Sequence, residues 1–312
     1  MRGVHFNVAT AVNIRNITFS QSCSSKEWPI VLLQLGKLKI SLLATLTTAT
    51  GYLLATGKIT IHMLLPTVAV FLLASGSCAL NQYQEREIDR LMERTKSRPI
   101  PSGRLSPEAA LSIAMSLIFS GCLILSYGAT PAGLILGLLA ILWYNLVYTP
   151  LKQKTAFAAI PGALVGAIPP VLGWVAGGGS MLDPRIWGVS LFFFVWQVPH
   201  FWLLLLDFSK DYEKAGLPSI TKIFSAEQIK RIVSVWLLWT GAVSLIIPLF
   251  GFFNSFSVRL FLMAATGRLF WSAIIFSRSY PQKISQRPIF TNLNTYALMV
   301  TLLLSLDKLL GP

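Results

Sequence analysis

The sequence predicts an all-α integral membrane protein, a bundle of about nine transmembrane helices with a cytoplasmic N-terminus. Composition is the first observation behind this fold class: of 312 residues, 54% are hydrophobic and only 12% are charged. The second is that uncharged stretches of about 20 residues, the length that crosses a hydrocarbon core, recur along the chain. The third is a bias of Lys and Arg toward alternate loops.

The predicted helices follow from hydropathy. In chain order they are residues 38–57, 62–81, 109–127, 131–148, 156–177, 187–206, 231–253, 258–276 and 292–309. They leave no room for a separate soluble domain, so we expect residues 29–312 to form a single transmembrane domain. Residues 1–28 precede it as an N-terminal tail or leader.

The first 28 residues contain Arg2, Arg15 and several Ser and Asn, with no acidic residue before Glu27. This composition is typical of an organellar transit peptide. We favour a short irregular bacterial leader or an early start codon. The favoured interpretation places the protein in a bacterial cytoplasmic membrane, and the other in the mitochondrial inner membrane.

Basic residues orient the bundle. They concentrate in the N-terminal region and in the loops after the second, fourth, sixth and eighth helices, whereas the opposite loops and the C-terminus hold Lys58, Arg185, Arg259 and Lys308. Because Lys and Arg are retained in the cytoplasm, we expect the N-terminus inside and the C-terminus outside. Arg268 falls within the eighth helix, where a charge is costly. We interpret it as facing a polar interior, or as a sign that the helix is displaced by a turn.

The formal net charge of +14 does not indicate nucleic acid as a partner, because no basic module with interleaved aromatic residues is present. Membrane lipid head groups and an anionic substrate explain the charge better. The three cysteines, Cys23, Cys78 and Cys122, include no CxxC pair. Neither a disulfide framework nor a zinc site is indicated.

The most informative polar segment is residues 81–107. Asn81, Glu85 and Asp89 recur every four residues, so on a helix their oxygen-bearing side chains share one face. Mg²⁺ prefers such oxygen ligands and is usually shared between one or two carboxylates and substrate phosphates. The spacing therefore indicates a candidate magnesium site.

A second acidic pair, Asp207 and Asp211, ends the sixth helix at the same predicted face of the membrane. One such pair is usually a solvated helix end, but two on the same side favour a substrate that carries a diphosphate on Mg²⁺. Between them in sequence, Lys152 or Lys154 could contact phosphate, and Tyr148 could line the mouth of an apolar pocket.

Two further features leave alternatives open. His200 lies in an apolar stretch next to Phe201 and Trp202. It is either a hydrogen-bonded structural residue or, beside this aromatic wall, a ligand of haem iron. The fifth helix is rich in Gly and Pro, including Gly166 and Gly173, which indicates either kinks beside a ligand cavity or tight helix packing.

From about Leu38 to its end, the chain resembles the UbiA superfamily of intramembrane prenyltransferases. The segments that carry the resemblance are the acidic cluster with the arginine-rich run that follows it, a Tyr-Thr-Pro-Leu-Lys turn, a Gly- and Pro-rich stretch and a Pro-His-Phe-Trp stretch with its acidic continuation: 81–107, 148–152, 166–174 and 199–218. The arginine-rich run and the Pro-His-Phe-Trp stretch resemble the branch that prenylates haem rather than quinone-forming relatives.

The resemblance implies nine transmembrane helices around a central cavity, with two acidic motifs under a cytoplasmic cap. It implies that Mg²⁺ on farnesyl diphosphate is held by Asn81, Glu85, Asp89, Asp207 and Asp211, which are catalytic together with Lys152. It also implies substrate-binding roles for Arg94, Lys96, Arg98, Tyr148, Lys154, His200 and Tyr212.

The implied reaction joins farnesyl diphosphate to a vinyl group of haem B with addition of water, and a haem A synthase is a candidate protein partner. Two departures from the family pattern stand out. Glu85 replaces the more common Asp, which lengthens the side chain by one methylene. The usual Lys-Pro-Arg is here Lys37-Leu-Lys39, which argues against a site role for Lys37 or Lys39.

Two other functions compete with this one. Another prenyltransferase of the superfamily, with a quinone or chlorophyll-type acceptor, would share the diphosphate site and differ in the segments 94–107 and 199–202. A transporter or channel would pass an anion between polar helix ends. Transporters often show paired broken helices near the membrane midplane, whereas both acidic clusters of this chain lie at one predicted face.

Overall fold

The computed structural model describes residues 27–128, 130–278 and 286–310. The predicted leader therefore lies almost entirely outside the described residues. Within them, nine helices are long and apolar enough to cross a membrane. In chain order these are α1 Leu38–Thr56, α2 Ile61–Gln84, α3 Pro107–Gly128, α4 Pro131–Lys152, α5 Ala156–Ala176, α6 Pro184–Asp207, α7 Ala226–Phe250, α8 Phe256–Arg278 and α9 Arg287–Leu310.

The predicted all-α membrane fold is confirmed, and every predicted span overlaps one of these helices. Their ends differ by a few residues, because hydropathy marks the apolar part of a helix rather than its last hydrogen bond. Among the described residues, three short α-helices and one 3-10 helix lie outside the spans: Trp28–Leu35, Arg86–Leu91, Ser209–Lys214 and Ile220–Lys222.

Local sequence determines where α6 and α7 begin. Asp183 precedes α6 and accepts a hydrogen bond from the backbone N–H of Arg185, and Pro184 occupies the first turn, where its missing N–H costs nothing. Ser225 and Gln228 form a reciprocal capping box at the start of α7. These caps begin the two helices three and five residues before the predicted apolar spans 187–206 and 231–253.

The nine helices form a closed ring. Each packs against the next in sequence, and α9 packs against α1. Across the ring, α1 also packs closely on α5. A Cβ atom on Gly51 would overlap the carbonyl oxygen of Pro170, and one on Gly173 would overlap that of Thr48. Gly173 therefore serves tight helix packing, because small residues let helices approach each other closely in membrane bundles.

Arg268 lies in the middle of α8, and its side chain is exposed, away from the buried residues of that helix. Neither interpretation offered for it holds. The predicted span is not displaced by a turn, because 258–276 lies within the observed helix Phe256–Arg278. The Arg268 side chain is exposed and not enclosed in the interior.

The helices α2, α4 and α6 finish at the same end of the bundle, which we call the polar end. It carries both acidic segments and corresponds to the predicted cytoplasmic face. Asp307, near the last residue of α9, lies at the opposite end.

Candidate functional site

The first acidic segment begins where α2 ends. The α-helix finishes at Gln84, and a separate short helix, Arg86–Leu91, follows it, so the single continuous helix assumed from the spacing is not present. The backbone N–H groups of Glu85 and Asp89 nevertheless bond to the carbonyl oxygens of Asn81 and Glu85, at 2.9 and 2.8 Å. This four-residue hydrogen-bond pattern keeps the three side chains together, and all three are buried.

Asn81 is held from two sides. Its Oδ1 accepts a hydrogen bond from Lys37 Nζ at 2.8 Å, and its Nδ2 donates to Thr149 Oγ1 at 3.1 Å. Lys37 precedes α1 with a left-handed backbone, φ 47° and ψ 59°, a conformation that costs a non-glycine residue energy. Burial lowers the pKa of Lys37 to about 8. The structure therefore places Lys37 at the site despite the missing Pro and Arg, whereas Lys39 is exposed.

Each buried carboxylate of this segment is paired with a cation. Lys152 Nζ donates to Glu85 Oε2 at 2.8 Å and lies 2.7 Å from Oε1. Arg98 Nη1 donates to Asp89 Oδ2 at 2.6 Å. Asp89 Oδ1 is buried and has no hydrogen-bond partner among the described residues. A buried carboxylate oxygen without a partner is costly, so this atom is available to a cationic ligand.

A polar network that the sequence did not single out ties α4 to α2. Asn145 is buried and exchanges hydrogen bonds with Ser77, while its Nδ2 also donates to Gln84 Oε1 at 3.2 Å. Gln84 Nε2 donates back to the Asn145 carbonyl oxygen at 3.1 Å. Because Asn145 lies in the π-helical turn Trp143–Tyr148, the network fixes the turn that precedes Lys152. The signal available in the sequence was Asn145 itself, an amide within the predicted transmembrane span 131–148.

The second acidic segment is broken between its two carboxylates. The helix α6 ends at Asp207, and the N–H of Asp211 bonds to the carbonyl oxygen of Phe208 at 3.0 Å instead of continuing the ladder from Asp207. As a result Asp207 is exposed, whereas Asp211 is half-buried. Asp211 Oδ2 accepts a hydrogen bond from the backbone N–H of Arg94 at 3.1 Å, which links the two acidic segments directly.

An apolar joint also holds the two segments together. Met92, Tyr212 and Leu217 form a buried cluster, with Ile88 and Phe208 packed against it. Residues from both short helices and the loops after them contribute to it. Tyr212, predicted to bind substrate, is buried in this joint.

The remaining predicted cations lie farther out. The Arg94 guanidinium is exposed and lies over the Phe208 ring, 4.8 Å from its centroid. Lys96 is exposed and paired with Glu93 at 2.5 Å. Lys154 is exposed in the turn after α4. These three side chains are exposed, whereas Arg98 and Lys152 are partly buried and pair with the buried carboxylates.

An aromatic row leads from this cluster into the bundle. Tyr148 stacks on Tyr144 and on Phe201, with ring centroids 5.6 and 5.7 Å apart. Phe201 in turn contacts the His200 ring at 5.8 Å. His200 is half-buried, and its Nδ1 lies 2.7 Å from Asn294 Oδ1 on α9. The predicted site residues Tyr148 and His200 are thus joined through one ring.

Among residues 27–128, 130–278 and 286–310, no group of three or more His, Cys, Asp or Glu side chains is close enough to hold a metal ion alone. The oxygen donors present still suit Mg²⁺, which commonly takes one or two carboxylates and completes its shell with water and phosphate. Asp89 Oδ1 is the atom best placed for it.

Comparisons with known proteins find relatives that cover most of the chain. A protoheme IX farnesyltransferase of Geobacter sulfurreducens is 40% identical over 213 residues, which are 68% of this chain and 78% of that protein. The enzyme of the same name from Oleidesulfovibrio alaskensis is 34% identical over 283 residues, 88% of this chain and 95% of its own length.

Two solved structures share the fold. A digeranylgeranylglyceryl phosphate synthase superposes with a TM-score of 0.72 at 18% identity, covering 91% of this chain and 99% of that one. A UbiA homologue from Archaeoglobus fulgidus bound to GPP and Mg²⁺ gives a TM-score of 0.64 at 14% identity, covering 89% and 99%. The model of the UbiA prenyltransferase family matches residues 44–294. The chain belongs to the UbiA prenyltransferase family.

Proposed function

We propose that this chain transfers the farnesyl group of farnesyl diphosphate to a vinyl group of protohaem IX (haem B) with addition of water, giving haem O and diphosphate in a bacterial cytoplasmic membrane. Relatives of that activity cover most of the chain. The observation in the structure that carries the proposal is the buried Asp89 carboxylate. Arg98 pairs with one of its oxygens and the other has no partner among the described residues, an arrangement suited to a metal-bound diphosphate.

The metal we propose is Mg²⁺, which Asn81, Glu85, Asp89, Asp207 and Asp211 would hold together with the diphosphate. When bound, it supplies Lewis-acid stabilisation of the leaving diphosphate. The Archaeoglobus fulgidus homologue bound to GPP and Mg²⁺ supports this choice. Because the helix breaks at Phe208, Asp207 is exposed, and Asp211 is the residue of the pair that contacts the first acidic segment, through Arg94.

The chain's own cations stabilise charge on the leaving group. As the allylic carbon–oxygen bond breaks, its electron pair leaves with the diphosphate, and fixed positive charges in a site that excludes water favour that separation. The buried carboxylates of the first segment pair with Lys152 and Arg98. Its buried amide accepts a hydrogen bond from Lys37. Arg94, Lys96 and Lys154 would meet the diphosphate from the solvent side.

The acceptor needs no protein nucleophile. The electron-rich vinyl group of haem B forms the new carbon–carbon bond to C1 of the farnesyl cation. Water then adds to the resulting porphyrin-stabilised cation and releases a proton, which gives a hydroxyethylfarnesyl group. The aromatic row from Tyr148 to His200 begins one turn before Lys152, which pairs with Glu85. His200 would position the porphyrin, and Tyr148 and Phe201 would line the apolar path.

The test is direct. Purified protein in detergent is incubated with haem B, farnesyl diphosphate and Mg²⁺, and acid-acetone extracts are separated by chromatography. We expect a lipophilic haem whose mass exceeds that of haem B by one farnesyl group and one hydroxyl, and none when EDTA replaces Mg²⁺. Prenylation of a hydroxybenzoate or homogentisate in parallel reactions, with haem B unchanged, would establish a quinone-type acceptor instead. A haem A synthase as partner for product transfer remains a prediction.

A further inference from the structure

His200 and Asn294 meet across the ring, from α6 and α9. His200 lies about two turns before the end of α6, and Asn294 about two turns after the start of α9. The two side chains are therefore at similar depth below the polar end, and Nδ1 lies 2.7 Å from Oδ1. An amide at this depth, in an apolar span, needs a hydrogen-bond partner.

The contact determines which nitrogen of His200 carries the proton. A carbonyl oxygen only accepts hydrogen bonds, so Nδ1 must be the donor. The neutral ring then has its lone pair on Nε2. Histidines that ligate a metal typically donate their other N–H to a carbonyl or carboxylate, which fixes the ring and raises the basicity of the ligating nitrogen.

The ring is also held in place by its neighbours. Trp196 and Phe290 lie on it, each with centroids 5.0 Å from that of the imidazole, at 42° and 34°. Phe201 contacts the edge of the imidazole and stacks on Tyr148. Among the described residues His200 makes no second side-chain hydrogen bond, so Nε2 is free for a ligand beside the farnesyl site.

We propose that Asn294 is a positioning residue for the haem acceptor, holding His200 as the Nδ1-protonated tautomer so that Nε2 binds the haem iron. This inference rests on the proposed function. It gives the acceptor a fixed point, an iron–imidazole bond, at the far end of the aromatic row from the diphosphate site.

The experiment compares Asn294→Leu, which removes the acceptor at similar volume, with Asn294→Asp, which strengthens it. The matched control is Asn292→Leu, which removes the same residue type from the same helix, where Asn292 bonds to Ser272 at 2.8 Å. Haem B is titrated into purified protein by its Soret absorbance. The iron–histidine stretching band of the ferrous complex is recorded by resonance Raman spectroscopy.

We expect Asn294→Leu to weaken haem binding roughly 10- to 100-fold and to lower the stretching frequency, while Asn294→Asp raises that frequency. Asn292→Leu should leave both unchanged, and farnesyl diphosphate binding should be unchanged in all three. Wild-type affinity and frequency in both Asn294 variants would reduce the contact to a tether between helices. Unchanged haem binding by His200→Ala would also overturn the inference.

Those outcomes are separable from a failure of the proposed function. If wild-type protein farnesylates haem B but the variants behave like wild type, only the role of Asn294 fails. If wild-type protein binds haem with an iron–histidine band yet forms no farnesylated haem, the proposed function fails.

Discussion

Arg98 and Asp89 form an ion pair, with Nη1 2.6 Å from Oδ2. The pair ties the loop that follows the short helix Arg86–Leu91 back to a carboxylate of that helix. The pair uses one oxygen of Asp89 and leaves Oδ1 buried without a partner. Asp89 is therefore held in place by a cation and keeps an oxygen for a second one. This geometry makes it the residue of the first segment on which activity should depend most.

We expect Asp89→Asn to lower haem farnesylation roughly 100-fold or more, because the variant keeps shape but loses the charge that holds a cation at a developing anion. The measurement is the initial rate of product formation at saturating substrates over a range of Mg²⁺ concentrations. Glu87→Gln is the matched control. Glu87 belongs to the same short helix but is exposed and paired with Arg86 and Arg90, so its rate should match wild type. Equal rates for both variants would remove Asp89 from the site.

Lys37 should give the reaction an alkaline limit. Burial lowers the pKa of Lys37 to about 8, so its ammonium is charged below that pH and neutral above it. We expect kcat/KM for farnesyl diphosphate to fall as pH rises through about 8, because this profile reports groups of the free enzyme. Lys37→Met should be less active at pH 7 and lack the decline. Lys37→Arg should shift the decline upward, because an arginine stays charged.

The control for Lys37 is Lys39, the exposed lysine two residues later. Lys39→Met should keep both the rate and the decline near pH 8. A Lys37→Met profile that still falls at this pH would assign the limit to another group.

Much of the fold was predictable from the sequence, because crossing a membrane requires long apolar stretches whose ends carry the charges. The Asn81, Glu85 and Asp89 spacing also predicted a shared face, although the helix breaks at Glu85. The same reasoning does not hold for Asp207 and Asp211. There the break at Phe208 changes the hydrogen-bond pattern, and the two carboxylates differ in burial: Asp207 is exposed and Asp211 is half-buried.

Contacts between distant segments were not predictable. Lys37 reaches Asn81 across 44 positions, and His200 reaches Asn294 across 94. No periodic pattern in either segment records such a partner, because it arises from how the ring of helices closes. The family pattern even argued against Lys37, since its usual Pro and Arg neighbours are replaced. Only the three-dimensional arrangement shows that the lysine side chain still reaches the site.

Gly162 makes room for Tyr148. A Cβ atom at Gly162 would overlap the Tyr148 ring, which stacks on Phe201 at 5.7 Å. We expect Gly162→Ala to displace that ring and to lower kcat/KM roughly 10- to 100-fold, since small misplacements in a site can cost that much. Gly267→Ala is the control, because a Cβ there meets nothing within 4 Å. Its activity should equal that of wild type; a Gly162→Ala enzyme with wild-type kinetics would show that Tyr148 does not line the substrate path.

Asp307 should matter for stability and not for chemistry. It is 2% exposed and accepts hydrogen bonds from the backbone N–H groups of Asn254 and Ser255, at 2.6 and 3.0 Å, just before α8 begins. The carboxylate satisfies two donors at a helix N-terminus, where negative charge is favourable. We expect Asp307→Ala to destabilise the protein by about 2–4 kcal/mol, since both donors lose their partner.

The check is thermal unfolding of purified protein in detergent, with haem farnesylation measured per folded molecule. Asp307→Asn, which keeps one carbonyl oxygen as acceptor, should fall between Asp307→Ala and wild type. Both variants should retain wild-type activity once folded, because Asp307 lies at the opposite end of the bundle from Asp89. Unchanged unfolding of Asp307→Ala would mean that water replaces the carboxylate at these two N–H groups. A loss of activity without a loss of stability would instead show that the contact between Asp307 and the start of α8 affects the site at the polar end.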